Sequence, residues 1–200
     1  MVWDILNIVG TLAFAISGAM VAMEEEYDIL GGYVLGFTTA FGGGTIRNLL
    51  IGIPIQDIWQ QGNLFIIASL AITVVFLLPT GWLQYWNKWG IFFDALGLAA
   101  FAIQGALSAV QVQAPLSAVI VAATLTGSGG GIIRDVFAGR KPLVFRAEIY
   151  ALWAALGGVV IGLGFINGPW TAGILFAAIV VCRMLSVHFK WKLPKRTMTS

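Results

Sequence analysis

The chain has 200 residues, 59% of them hydrophobic and 10% charged, with a formal net charge of +2. A soluble domain carries about 25% charged residues, and no soluble fold of this length can hide so much apolar surface. Composition therefore excludes a soluble protein and predicts one integral membrane domain over residues 1–200.

A membrane helix needs about 20 mainly apolar residues, and seven runs qualify. The first, near Trp3–Met23, begins Met1-Val2-Trp3-Asp4. It lacks the basic start of a signal peptide and is read as a spanning helix. The acidic stretch Glu24-Glu25-Glu26-Tyr27-Asp28 separates it from the second, near Ile29–Leu50. Pro54–Gly62 precedes the third, near Leu64–Leu78, and Pro79–Lys88 the fourth, near Ile91–Val110. Gln111–Pro115 leads to the fifth, Pro115–Phe137, and Arg140–Arg146 to the sixth, Ala147–Ile166. Asn167-Gly168-Pro169 leads to the seventh, Trp170–Phe189. Long runs without alternation exclude a β-barrel. The single Cys182 allows no internal disulfide.

The second run carries Gly42-Gly43-Gly44-Thr45-Ile46-Arg47-Asn48, and the fifth carries Gly129-Gly130-Gly131-Ile132-Ile133-Arg134-Asp135. The offset, from 42 to 129, is 87 residues. Gly10 and Gly97, Phe14 and Phe101, Gly18 and Gly105, and Gly52 and Gly139 match at the same offset. The chain is thus two copies of one unit, about residues 3–80 and 90–167, followed by a seventh helix near 170–189 and a basic tail at 190–200. Three helices per copy carry the chain across the membrane an odd number of times. The second copy must run upside down, giving an inverted 3+3 repeat plus one. Such repeats place their site near the midplane, on discontinuous helices.

Basic residues set the orientation. One side has no Lys or Arg in its connections. The other has Lys88, Arg140, Lys141, Arg146 and the tail residues Lys190, Lys192, Lys195 and Arg196. That side is expected to be cytoplasmic, with the N-terminus outside and the C-terminus inside. The tail sits where it would meet membrane lipid.

Each consecutive glycine costs a helix about 1 kcal/mol relative to Ala, so the two triplets predict breaks in helices two and five. Backbone broken at membrane depth needs protein or a wet cavity beside it. The carbonyl ends of the first half-helices would suit a cation, and the N–H ends near Arg47 and Arg134 an anion or carboxylate. Thr38, Thr39, Thr124, Thr126 and Ser128 would add hydroxyl oxygens just before the glycines.

Arg47 costs about 2.5–3.5 kcal/mol at a helix centre unless paired or wet. Neighbouring helical residues do not face each other, so Asp135 is expected to pair across the repeat, with Arg47, and Asn48 is its uncharged counterpart. Each arginine is expected to reach toward the other copy's glycines, as a gate or a charge partner. Asp94 is expected to open helix four as a first-turn acid. Ser17 and Gln104, matched at the same offset, are expected to line one pathway. His188 stands alone, so no metal site is expected. Nucleotide loops, nucleophile–base pairs and metal-protease motifs do not occur, so neither an enzyme, a cofactor nor a nucleic-acid partner is expected.

The two motifs, GGGTIRNLLIG and GGGIIRDVFAG, resemble those of the prokaryotic branch of the trimeric intracellular cation (TRIC) channel family, over essentially the whole chain. The resemblance implies a homotrimer in a prokaryotic inner membrane. It implies one pore per subunit, lined by helices two and five with help from one and four, passing monovalent cations, chiefly potassium. Members of the same superfamily are also described as glycine transporters. The residues alone fit either a channel or a secondary transporter of a small amino acid such as glycine, whose carboxylate would meet Arg47 or Arg134.

Overall fold

The apolar runs fold as helices because, in hydrocarbon, a continuous helix satisfies its backbone N–H and C=O groups within one segment. The computed structural model describes residues 2–78, 80–146 and 149–194, without the side chains of 80–88 and 146. The helices are α1 (Val2–Glu24), α2 (Ile29–Ile51), α3 (Gly62–Leu77), α4 (Thr80–Gln111), α5 (Leu116–Phe137), α6 (Leu143–Arg146), α7 (Ala151–Gly162) and α8 (Pro169–His188). A 3-10 helix, Ile55–Gln60, joins α2 to α3. The tail residues Lys195 and Arg196 lie outside the described residues, as do the side chains of Lys88 and Arg146.

Among the described residues, five helices are long and apolar enough to cross a membrane: Val2–Glu24, Ile29–Ile51, Trp89–Gln111, Leu116–Phe137 and Pro169–His188. The third helix of each copy is shorter, at Gly62–Leu77 and Ala151–Gly162. The break expected at Pro79–Lys88 is helical from Thr80 onward, since a proline just before a helix start does not interrupt it. Large apolar side chains such as Leu77 and Trp170 face outward, 77% and 86% exposed, as suits lipid and would not suit water.

The two copies meet through reciprocal contacts. Phe14 covers Gly97 and Phe101 covers Gly10, and the two rings pack edge-on at 5.3 Å. Within each copy, Gly18 lies against the Leu35 carbonyl of α2, and Gly105 against the Ala122 carbonyl of α5. Gly43 lies against the Thr126 carbonyl, and Gly130 against the Thr39 carbonyl. Every pair maps onto its partner at the 87-residue offset, so a pseudo-two-fold axis relates the copies.

The expected breaks at the glycine triplets are absent: α2 and α5 run unbroken through Gly42–Gly44 and Gly129–Gly131. Helix propensity argued for a break, but packing decides. A Cβ at Gly43 or Gly130 would strike backbone carbonyl of the other helix, and one at Gly129 would sit 3.2 Å from the Gly43 Cα. The glycines let two backbones touch, the usual role of small residues between membrane helices. With the ladders closed, the half-helix ends expected to hold a cation or a carboxylate do not form. The hydroxyls of Thr38, Thr39, Thr124, Thr126 and Ser128 each donate to the carbonyl four residues back, on their own helix.

Candidate functional site: two cavities, each with a buried arginine

α1, α4 and α5 enclose a cavity of about 360 Å³, lined among others by Ser17, Asp94, Arg134 and Asp135. Arg134 is 2% exposed and fully engaged. Its Nη1 donates to Ser17 Oγ at 2.6 Å and Asp94 Oδ1 at 2.7 Å, and its Nε to Asp135 Oδ1 at 2.9 Å. Asp135 Oδ2 in turn accepts from the Leu143 N–H at 2.8 Å, tying the cluster to α6. Such a cluster is stable only as a unit, because removing one partner leaves a buried charge uncompensated.

Two expectations are corrected here. Asp135 pairs with its own neighbour Arg134, not with Arg47, because the long guanidinium stem curls back along the helix. Asp94 does not open a helix: it lies in the interior of α4, 1% exposed, because that helix starts earlier than the break at Pro79–Lys88 implied.

At the mouth of this cavity Arg140 pairs with Glu24 at 2.7 Å and with Glu25. The Tyr27 hydroxyl donates to the Phe137 carbonyl at 2.9 Å. The link between α1 and α2 is thereby clasped to the turn after α5. Partial burial works against the Arg140 charge. The hydrogen bonds and charges of Glu24 and Glu25 outweigh it and hold the guanidinium above its ordinary value.

The second cavity lies toward the other end of α1. It is small, about 30 Å³, and Asn7, Gly44, Arg47, Gln61, Gln104 and Thr126 are among its lining residues. Arg47 Nε and Nη2 donate to Asn48 Oδ1 at 3.0 and 2.8 Å. This is the same neighbour contact as Arg134 with Asp135, but with an amide in place of a carboxylate. Gln104 Nε2 donates to Asn7 Oδ1. Ser17 and Gln104 therefore serve different cavities, not one shared wall. Nor do the arginines reach across to the opposite copy's glycines. Their Nη2 atoms stand 3.8 Å and 3.6 Å from where a Cβ would be at Gly44 and Gly131, each in its own copy.

The sequence reading missed four participants. Asn7 is the 87-residue counterpart of Asp94, a match the repeat already offered. Arg140 was counted for topology only, without its partners Glu24 and Glu25. Arg183 was an unremarked charge inside an apolar run. It is 1% exposed, stacks 4.8 Å from the Tyr150 ring centroid and donates to the Ile149 carbonyl. Tyr150 itself stands at the start of α7, its hydroxyl 3.2 Å from where a Gly131 Cβ would be, with Asp94 Oδ1 at 3.5 Å from the same point. No signal in the sequence pointed to it.

A family model described as "Glycine transporter" matches residues 4–80 and 91–165. The chain is 64% identical over 197 residues to the UPF0126 membrane protein YvgT of Bacillus subtilis, covering 98% of each. It also matches a solved structure concerned with conductance through TRIC cation channels. The TM-score is 0.86 and the identity 35%, over 100% of both chains. The chain belongs to the prokaryotic TRIC family. A TRIC orthologue from Rhodobacter sphaeroides is similar too, at TM-score 0.83 and 31% identity over 94% of this chain and 98% of that one. In this chain the two arginine cavities lie on either side of the glycine crossing of α2 and α5, in a family of membrane channels and not of enzymes.

Proposed function

We propose that this chain is a monovalent-cation channel, chiefly for potassium, with one pathway inside each subunit of a homotrimer. The observation that carries the reading is the pair of repeat-related cavities. They lie toward opposite ends of α1 and are separated by the contact of α2 with α5 at Gly43 and Gly130. The contact is backbone against backbone at Gly43 and Gly130 with the Phe14 ring beside it, so a small separation of the two helices together with a turn of that ring would join the cavities. The solved TRIC relatives are described as cation channels, and the Rhodobacter sphaeroides orthologue as trimeric.

The pathway would run from the Arg47 cavity to the Arg134 cavity. In the latter, Asp94 and Asp135 outnumber Arg134, so its formal charge favours cations; acidic linings serve this role in cation pores. The α1–α2 link meets the turn after α5 at that cavity's mouth. The start of the tail is tied to the residue before Tyr150 and α7, the Trp191 carbonyl accepting from the Ile149 N–H at 2.9 Å. Arg140 and Lys141 lie in that turn, and Lys190 and Lys192 at the start of the tail, so this face is read as cytoplasmic. The N-terminus is then outside, α3 and α7 complete seven crossings, and the repeat is inverted in a prokaryotic inner membrane.

The test is purified protein in sealed liposomes, with potassium currents and labelled-glycine uptake compared at a set membrane potential. Unitary potassium currents without saturable glycine uptake are expected. Saturable glycine uptake without unitary currents would overturn the channel reading in favour of alternating access.

A further inference from the structure

The two cavities share an architecture but not a charge. Around Arg134 stand the carboxylates Asp94 and Asp135; at the matching positions around Arg47 stand the amides Asn7 and Asn48. Arg47 is only 9% exposed. Among the described residues no carboxylate lies within ion-pair distance of it, and its hydrogen bonds go to one amide oxygen through Nε and Nη2, leaving Nη1 without a described partner. An arginine cannot shed its proton to escape burial, and a buried charge needs a counter-charge. The described residues do not supply one.

The geometry points to a small-anion site on Arg47: a halide ion, or the carboxylate group of a small solute, seated in the cavity between Arg47 and Asn7. The lining offers donors of the right kind. Asn7 engages its side-chain oxygen with Gln104, which leaves the Asn7 Nδ2 donors available to the cavity, and Gln61 and Thr11 add an amide and a hydroxyl. The space, about 30 Å³, exceeds the roughly 10–15 Å³ that one water requires. It admits a single halide or a carboxylate end, not a larger anion. The bound anion would give Arg47 the counter-charge that Asp94 and Asp135 give Arg134. This goes beyond ion conduction, and binding at Arg47 stands or falls whether or not potassium flows.

The repeat supplies the test. Asn48→Asp writes the Arg134–Asp135 pair into the first copy and gives Arg47 an internal counter-charge; Arg47→Gln removes the charge instead. Full-length protein is purified with a bulky sulfonate as the only anion. Its unfolding temperature is then titrated at constant ionic strength with chloride, bromide, acetate or glycine. The expected result is a saturable rise with chloride and bromide in the natural protein, with half-saturation weakened at least tenfold in Asn48→Asp and in Arg47→Gln. A saturable rise with acetate and glycine but not with halides supports the same site and assigns it to the carboxylate of an amino acid. No saturable rise with any of the four, or an equal rise in whichever of the two variants folds, overturns the site. Because the readout is binding, loss of potassium current leaves it intact, and its own failure leaves the channel reading to the liposome experiment.

Discussion

The first and second copies of the repeat build the same frame and then load it differently. Both leave their middle helix through a left-handed glycine, Gly52 with φ 73° as the cap of α2 and Gly139 with φ 68° one residue past the cap of α5. Both lay a phenylalanine over the other copy's glycine, and both curl an arginine onto the next residue. Yet the second copy surrounds its arginine with two aspartates and a wide cavity, while the first gives it amides and little space. Backbone symmetry thus constrains the positions that touch across the pseudo-two-fold axis. The cavity-facing positions are free to diverge, and divergence there sets the electrostatics of the two ends of the pathway.

That comparison is broken most severely by removing one arginine at a time. Arg134→Ala leaves Asp94 and Asp135 buried without a counter-charge, and a loss of about 3–5 kcal/mol is expected. Arg47→Ala abandons no carboxylate and should cost far less. Reversible unfolding of both variants in mixed micelles decides it, and equal losses would erase the asymmetry. Next in size, Gly43→Ala and Gly130→Ala each drive a Cβ into backbone carbonyl. Backbone cannot rotate away as a side chain can, so overpacking of about 1–3 kcal/mol is expected in both. Similar losses from the two unfolding curves would confirm that the crossing is symmetric.

Gly52→Ala and Gly139→Ala sharpen the shared side of the comparison. Beyond the chain neighbours, no heavy atom lies within 4 Å of the added methyl at either site, so only backbone strain remains, about 1–2 kcal/mol for a non-glycine residue in the left-handed region. The two variants should lose the same amount; unequal midpoints in the same unfolding assay would show that the turns carry different loads. The smallest effect is expected at the clasp, which the first copy lacks: Arg140 corresponds to Ile53 there. Its pairs with Glu24 and Glu25 are partly exposed, so Arg140→Gln should cost no more than about 1 kcal/mol. The loss should shrink as salt is raised, and thermal unfolding at low and high ionic strength measures both.

Much of the frame was legible in the residues. Helix positions follow from apolar runs because burial in lipid demands them, and the 87-residue register follows from matched glycines and phenylalanines that later prove to touch. The glycine breaks were misread because propensity counts only the cost of a helix to itself. Gly43 and Gly130 recover that cost from a neighbouring backbone that is invisible in one dimension. The pairing of Arg134 with Asp135 was misread for a related reason. The rule against neighbours facing each other concerns Cβ directions, and an arginine stem is long enough to fold back.

Composition, run length and internal repetition by themselves determined a helical membrane protein of two related halves, with an arginine and a glycine triplet in each. These are local properties, and local chemistry suffices to fix them. Only the tertiary structure decided that the triplets stay helical, that Arg134 and not Arg47 pairs with Asp135, and that Ser17 and Gln104 belong to separate cavities. Those outcomes depend on which atoms meet across helices that are distant in sequence. There, a contact distance or an unmatched charge outweighs any preference a residue carries alone.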